Sequence, residues 1–307
     1  MHSPVLIVVA PSVTVWNHQM QNTQTPGYGC YTSTYPSNMW SESPCGEQTP
    51  SLSPPNVGGV YGDYIGQCAC PNHISTASGH ITTESGYQWE TDSLGGSGWY
   101  SIQMNSNFYP INYCSGGTCT STQGWVQFVF QDQNGGSGPA QISLWWWLVG
   151  GYSNSNPCPS GWTYVSAYSS CVLYWTQAET SRDPYFLNVM SLGGSATSSQ
   201  DTVTYCYTTI CNSLSGPDNV FLSNHWNNVE WNVFGYAGSS QASFNPGFYL
   251  AVSVSIGAPD PETVTCANTY STTGETNNLN LDSCNTPYSS EYDFTEAVPA
   301  LHCPPSC

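Results

Sequence analysis

Apolar and polar residues first alternate regularly over residues 100–105, where Tyr100, Ile102 and Met104 share one face of an extended chain. The residues between them are polar and point to the opposite face. Such a period of two is typical of a β-strand that buries one side. The pattern predicts a half-buried strand over residues 100–109.

The same alternation returns at residues 125–131, where Val126, Phe128 and Phe130 share a face. The opposite face carries a mixed set: Trp125, Gln127, Val129 and Gln131. Residues 132–136, rich in Asn and Gly, predict a turn after this strand.

Three consecutive tryptophans, Trp145, Trp146 and Trp147, lie in the next predicted strand, residues 141–149. Because neighbouring strand residues point to opposite faces, at least one ring lies on each face. One ring is therefore expected in the core, and another is expected to line a groove or the surface.

Short β segments separated by Gly, Ser and Asn turns continue to about residue 256, with further strands predicted over 202–207, 229–236 and 248–256. The predicted fold is all-β, a disulfide-bonded antiparallel β-sandwich with N- and C-terminal extensions. A concave sheet is expected from strands 100–109, 125–131, 141–149 and 229–236.

Composition divides the chain into three parts. Residues 1–57 are rich in Pro and Ser and predict an N-terminal arm, residues 58–256 predict the sandwich core, and residues 257–307 predict a Cys-rich C-terminal tail.

The 14 cysteines of the chain indicate an oxidising, extracellular compartment. We expect mainly local disulfides, which pair Cys30/Cys45, Cys114/Cys119, Cys158/Cys171, Cys206/Cys211 and Cys266/Cys284. Cys68 and Cys70 are left without assigned partners, because cysteines so close in sequence rarely bond each other without strain. Zinc binding is the alternative role for the cysteines, but no histidine cluster flanks them. We expect no metal and no other cofactor.

Charge is the most unusual property of the composition, since Arg182 is the only Lys or Arg against 19 Asp and Glu, a formal net charge of −18 at pH 7. Nucleic-acid binding is excluded on this basis. With so few cations, protonation of the carboxylates breaks few ion pairs, so stability is expected to change little between neutral pH and about pH 3. The chain is expected to be secreted into an acidic environment.

No apolar run approaches the length of a membrane span, so no membrane insertion is expected. The short apolar run at residues 5–10 lacks the basic flank of a signal peptide. We expect that a secretory signal peptide has been removed. The chain has no Asn-x-Ser/Thr sequon, which favours a bacterial origin. We expect a monomer.

Candidate chemistry centres on Gln127, the tryptophan run and Glu230, which lies mid-strand in Asn228–Val233 beside aromatic residues. A lone strand glutamate or glutamine is ordinarily a solvent-facing residue, and this alternative applies to both positions. Trp125, Trp145, Trp147 and Trp231 are the candidate substrate-binding residues.

Two resemblances extend these inferences. The segments 29–36 (GCYTSTYP), 100–108 (YSIQMNSNF), 158–162 (CPSGW) and 274–279 (GETNNL) resemble a group of uncharacterised secreted bacterial proteins. Gln127, the tryptophan run and Val229-Glu230-Trp231 resemble, in order and spacing over about residues 100–256, the glutamic peptidases of the eqolisin family. No Thr-Gly follows Gln127, and no acidic residue lies within the tryptophan run, as the family pattern would have it.

The second resemblance implies a lectin-like β-sandwich and an acid endopeptidase that cleaves polypeptides. Glu230 would be the general base and then the general acid, since a glutamate with an ordinary pKa of about 4.3 is partly ionised in mild acid. Gln127 would stabilise the oxyanion with an amide that does not titrate.

Two alternatives stay open. A glycosidase needs two carboxylates, and Glu84 with Glu90 or Glu230 could supply them, although Glu84 and Glu90 are expected to be exposed to solvent. A non-catalytic, acid-stable protein could instead bind extracellular polysaccharide on its aromatic residues or serve as a structural matrix protein.

Overall fold

The computed structural model describes residues 30–32, 39, 41–43, 63–94, 96–133, 139–259, 263–269 and 273–299. The chain divides into two compact units, Met1–Pro50 and Ser51–Cys307. In the first unit, β1 (Cys30–Thr32) pairs antiparallel with β2 (Ser41–Ser43).

The described residues of the second unit form two large sheets and a small one. The larger has nine strands, which in chain order are β3 (Asp63–Cys68), β6 (Tyr100–Ser106), β7 (Tyr109–Ser115), β8 (Thr118–Asp132), β9 (Pro139–Val149), β10 (Thr163–Val165), β11 (Ser170–Thr180), β15 (Asn228–Gly235) and β18 (Val264–Thr269). Their spatial order is β10-β11-β9-β8-β6-β15-β3-β18, with β7 paired to β8.

The second large sheet has seven antiparallel strands, which are β4 (Thr76–Ser85), β12 (Met190–Thr197), β13 (Gln200–Tyr207), β14 (Ile210–Gly216), β17 (Tyr249–Gly257), β20 (Asn280–Tyr288) and β21 (Glu291–Ala297). Their spatial order is β14-β13-β12-β4-β17-β21-β20. The small sheet joins β5 (Glu90–Asp92), β16 (Gln241–Phe244) and β19 (Thr276–Asn277), and β16 and β19 are parallel. Among the described residues, three short 3-10 helices span Ser166–Tyr168, Pro184–Val189 and Leu222–Asn224.

The two large sheets bury a shared core. Phe130 of β8 stacks on Tyr205 of β13 with ring centroids 4.2 Å apart. The Trp231 indole of β15 donates a hydrogen bond to the Leu192 carbonyl of β12 at 3.1 Å. Apolar burial of this kind is the main driving force for folding, and the predicted disulfide-bonded, antiparallel β-sandwich is confirmed.

The alternating pattern of residues 125–131 is confirmed in β8, where Val126, Phe128 and Phe130 are fully buried in the core. The four strands predicted for one concave sheet correspond to β9, β8, β6 and β15, which are consecutive neighbours in the nine-stranded sheet.

The strand predicted over residues 100–109 is divided in two, because β6 ends at Ser106 and β7 begins at Tyr109. The Asn107 side chain accepts hydrogen bonds from the backbone N–H groups of Asn227 and Asn228 at 2.8 and 3.2 Å. Those bonds hold the chain where it leaves the sheet.

Residues 257–307, predicted as a tail, supply strands to all three sheets of the second unit. Of these, β18 pairs with β3, β21 pairs with β17, and β19 pairs with β16. Strands of the sandwich therefore continue beyond residue 256.

Four of the predicted disulfides are confirmed: Cys114–Cys119, Cys158–Cys171, Cys206–Cys211 and Cys266–Cys284. The predicted pair Cys30/Cys45 lies outside the residues whose side chains are described.

Cys68 and Cys70, which had no assigned partner, form a fifth disulfide with each other. Their Cα atoms are 5.1 Å apart, closer than the roughly 6.6 Å of two residues in an extended strand. The chain turns at the end of β3, and this turn brings the two cysteines together.

Arg182, the only Lys or Arg of the chain, is held close to the sandwich. Its guanidinium lies 4.1 Å from the centroid of the Tyr207 ring. Its backbone N–H donates to the Asp132 carboxylate, and its carbonyl accepts from the Tyr100 hydroxyl at 3.0 Å. Among the described residues, no helix is long and apolar enough to cross a membrane.

Candidate functional site

Three candidate residues, Glu230, Gln127 and Trp145, occupy one row across the nine-stranded sheet together with Asn105. In this row Glu230 of β15 pairs with Asn105 of β6, Asn105 pairs with Gln127 of β8, and Gln127 pairs with Trp145 of β9. Directly opposed residues of antiparallel strands point to the same face. Glu230 and Gln127 therefore share the face opposite the core. Their Cα atoms are two strand spacings apart, about 10 Å.

A chain of neutral amides connects these two side chains. Asn105 Nδ2 donates to Glu230 Oε2 at 2.9 Å and lies 3.5 Å from Gln103 Oε1. Gln127 Nε2 donates to the same Gln103 oxygen at 3.1 Å, and Trp147 Nε1 donates to Gln127 Oε1 at 2.8 Å. These hydrogen bonds fix the positions of the carboxylate and the three amides, and none of their donors is a cationic side chain.

Burial distinguishes these residues from ordinary strand polar groups. Glu230 is 1% exposed, Asn105 is 0% exposed and Gln127 is 6% exposed. The solvent-facing alternative is therefore wrong for both Glu230 and Gln127. A buried carboxylate is costly unless it is hydrogen-bonded, and Asn105 supplies such a bond.

Several buried polar atoms beside this row have no hydrogen-bond partner in the described part of the chain. They are Asn105 Oδ1, Trp125 Nε1, Trp145 Nε1 and, one row further on, Ser143 Oγ. Buried polar groups are nearly always bonded. This face therefore contains both acceptor and donor atoms whose hydrogen-bonding capacity is unused.

An aromatic strip includes Trp145 of this row and continues on both sides of it. It consists of Phe108, Trp125, Trp147, Trp145 and Tyr174, whose successive ring centroids are 5.2, 5.7, 6.3 and 4.5 Å apart. Its ends are exposed, at 36% for Phe108 and 48% for Tyr174. The strip forms a continuous surface for stacking or apolar contact.

The middle residue of the tryptophan run and the candidate Trp231 point into the core. Trp146 is fully buried and donates to Asp201 Oδ2 at 2.7 Å. Trp231 is also fully buried, on the face of β15 opposite Glu230. The structure brings Trp125, Trp145 and Trp147 to the Gln127 face but leaves Trp231 between the sheets.

Further carboxyl groups lie near Glu230. Asn232 Nδ2 donates to Asp63 Oδ1 at 3.0 Å and to Glu296 Oε2 at 3.1 Å. Burial raises the pKa of Glu296 to about 8. Burial, and then the negative charges of Glu230 and Glu296, raise the pKa of Asp63 well above its ordinary value. Asp63 and Glu296 are therefore protonated in acid.

The carboxylates weighed for a glycosidase lie on different sheets. Glu84 is on β4 of the seven-stranded sheet, where burial raises its pKa to about 7. Glu90 is on β5 of the small sheet and is 0% exposed, and burial raises its pKa to about 9. The expectation that Glu90 faces solvent is wrong.

Three residues of the network were missed by sequence reasoning. Asn105 and Gln103 follow from the alternation of residues 100–105, which places them on the polar face of β6. Thr273, whose hydroxyl lies 3.4 Å from Gln127 Nε2, carries no signal in the sequence. The Thr273 hydroxyl in turn donates to the Glu275 carboxylate.

No protein-family model matches the chain, and no curated protein shows significant similarity to it. Within the described ranges, no group of three or more His, Cys, Asp or Glu side chains is arranged to hold a metal ion.

Proposed function

We propose that the protein is an acid-acting endopeptidase of the glutamic type, with Glu230 as general base and acid and with neutral amides as oxyanion donors. One observation carries the proposal: a buried glutamate, bonded to Asn105, shares a sheet face and a strand row with Gln127. Amide groups keep their donors at any acidity, whereas a histidine base would be protonated.

In the proposed first step, ionised Glu230 removes a proton from a water molecule as its oxygen attacks the peptide carbonyl carbon. The C–O bond forms while the carbonyl π electrons move to oxygen. Asn105 Oδ1, which is unpartnered and adjacent to Glu230, is suited to accept the second hydrogen of that water.

The developing oxyanion needs donors that are already oriented. Gln127 Nε2 has one short bond to Gln103 and one long bond, 3.4 Å, to Thr273. The substrate oxygen would replace the long bond. Glu230 then returns the proton to the peptide nitrogen, and the C–N bond breaks to release an amine and a carboxylic acid.

The substrate of this reaction is an unfolded polypeptide in extended conformation. Trp125, Trp145 and Trp147 border the row on the same face as Gln127 and supply apolar contacts for its side chains. Trp125 Nε1 and Trp145 Nε1 are unpartnered donors, and peptide carbonyl groups would accept from them.

The test is digestion of an acid-unfolded protein at about pH 2–4, with cleavage followed by mass spectrometry. Glu230→Gln should abolish cleavage while the fold survives, since the replacement is nearly isosteric. Glu84→Gln is the matched control, because Glu84 lies on the other large sheet, and it should retain activity. Full activity in Glu230→Gln would refute the proposal, as would the absence of cleavage by the wild-type protein throughout this range.

A second candidate, binding of a neutral extracellular polysaccharide, is favoured by the aromatic strip and its exposed ends. Stacking on aromatic side chains suits sugar rings. Retention on an insoluble polysaccharide that is lost in Trp145→Ala, with no proteolysis at any acid pH, would favour this candidate over the peptidase.

A further inference from the structure

A concave site lies at the end of the β7–β8 hairpin, and none of its lining residues belongs to the row from Glu230 to Trp145. It is a cleft of about 310 Å³. One wall comes from the hairpin, with Tyr113 and Thr120 directly opposed on the two strands. The other wall comes from the loop after β9, with Tyr152 and Asn156. The volume is at the lower end of the range for small-molecule sites, roughly 300–1,000 Å³.

Covalent and aromatic contacts hold both walls. The Cys114–Cys119 disulfide closes the hairpin, and Cys158–Cys171 ties the loop to β11. Trp162 packs edge-to-face on Tyr113, with centroids 5.7 Å apart. Walls fixed before binding reduce the entropy that a ligand must overcome.

The lining has a consistent chemistry. None of the described residues that line the cleft carries a charged side chain. Tyr113 and Tyr152 supply aromatic rings, and Asn156 supplies an amide that donates to Thr120 Oγ1 at 3.4 Å. Hydroxyl groups fill much of the remainder, from Ser115, Thr118, Thr120 and Ser160.

The Tyr152 hydroxyl is the most informative group. The residue is only 3% exposed, yet its hydroxyl, although near Thr120, has no partner at hydrogen-bonding distance in the described structure. A buried hydroxyl without a partner costs folding free energy. A turn of the Tyr152 side chain toward the cleft, which this residue lines, would let a ligand satisfy the hydroxyl.

These features exclude most ligand classes. An anion would be repelled by a chain of formal charge −18 and would find no basic side chain in the lining. A metal ion would find no carboxylate or imidazole ligand there. A purely apolar molecule would cover the hydroxyl and amide groups without bonding them. A small neutral polyol with an apolar ring face fits both the aromatic and the hydrogen-bonding groups.

We infer that this cleft binds a single neutral sugar ring, either free or at the end of a glycan, by aromatic contact with Tyr113 and hydrogen bonds to Tyr152 and Asn156. The cleft shares no residue with the Glu230 face. The inference is therefore independent of the proposed peptidase activity, and either can fail alone.

The test is titration calorimetry of the full chain with glucose, galactose and mannose. At least one should bind with a millimolar dissociation constant. Tyr152→Phe removes only the hydroxyl and should weaken binding by roughly 2- to 10-fold. Tyr113→Ala should weaken it by at least about tenfold, since aromatic contact is lost. Tyr288→Phe, at a 68% exposed tyrosine of β20, is the matched control and should bind as wild type does.

Titration with a linear trisaccharide of the sugar that binds best distinguishes the two possible ligands, a free sugar ring and the end of a glycan. Equal affinity identifies the lone ring as the ligand, whereas tighter binding identifies the end of a chain. Binding of none of the three sugars would overturn the inference, and so would unchanged affinity in Tyr152→Phe, which differs by one atom and should keep the fold.

Discussion

At the scale of single residues, the roles proposed for Glu230 and Gln127 predict different losses. Glu230→Gln removes the only proposed base, so the rate should fall to background. Gln127→Ala removes one oxyanion donor and should reduce kcat on the order of a hundredfold, about 3 kcal/mol, which leaves measurable activity. Steady-state kinetics on a chromogenic peptide at acid pH would measure both losses. Equal losses in the two variants, or a change in KM alone for Gln127→Ala, would contradict the assignment.

The alternation of side chains along a strand explains how much of this site could be predicted from the sequence. A strand period of two places Gln127 opposite the core, and the same rule applied to β6 gives Asn105 and Gln103. The contact between Asn232 and Glu296 could not be predicted, because it joins β15 to a strand in the segment predicted as a tail. Alternation gives the face of a residue, whereas strand pairing decides its neighbours.

At the scale of elements, the local disulfides should contribute to stability according to the loops they close. Cys206–Cys211 spans 5 residues and Cys158–Cys171 spans 13. Chain-entropy arguments give about 2 kcal/mol for the shorter loop and about 3 kcal/mol for the longer one. Paired Cys→Ser variants compared by denaturant unfolding should show the larger loss for Cys158/Cys171. The reverse order would mean that native-state packing, rather than loop closure, sets these contributions.

Local elements were also easier to predict than distant pairings. The strand at 125–131 follows from alternation, the strand at 141–149 follows the turn predicted after it, and the two pair across a short connection. The parallel pair β16–β19 joins segments more than 30 residues apart, and each strand has only a few residues. Short strands carry too little periodicity to be recognised, and their partners depend on the completed sandwich.

At the scale of the whole molecule, buried carboxyl groups change the expected response to pH. The pKa is raised by burial to about 7 in Glu84, about 8 in Asp201 and Glu296, and about 9 in Glu90. In the unfolded chain such groups release their protons near pH 4. Between pH 4 and these raised values the folded state binds more protons, so the free energy of unfolding falls as pH rises.

The protein should therefore be more stable in acid than at neutral or mildly alkaline pH, rather than equally stable from pH 7 to pH 3. A pKa that differs by one between the folded and unfolded chain changes the free energy of unfolding by about 1.4 kcal/mol. The melting temperature should accordingly be higher at pH 4 than at pH 8 by at least about 10 °C, and calorimetric scans would measure the difference. Glu296→Gln keeps an acceptor for Asn232 and should raise stability at pH 8 but not at pH 4. Equal melting temperatures at the two pH values would contradict this account.

The position of Arg182 has a consequence for proteolysis. Trypsin cleaves after Lys or Arg, so the chain offers it a single bond, Arg182–Asp183, and cleavage gives fragments 1–182 and 183–307. In the native state the backbone N–H and carbonyl of Arg182 are held by Asp132 and Tyr100. A protease needs an extended, released segment at this point, so cutting must wait for local or global opening. The rate at which the two fragments accumulate thus reports how often the sandwich opens around Arg182.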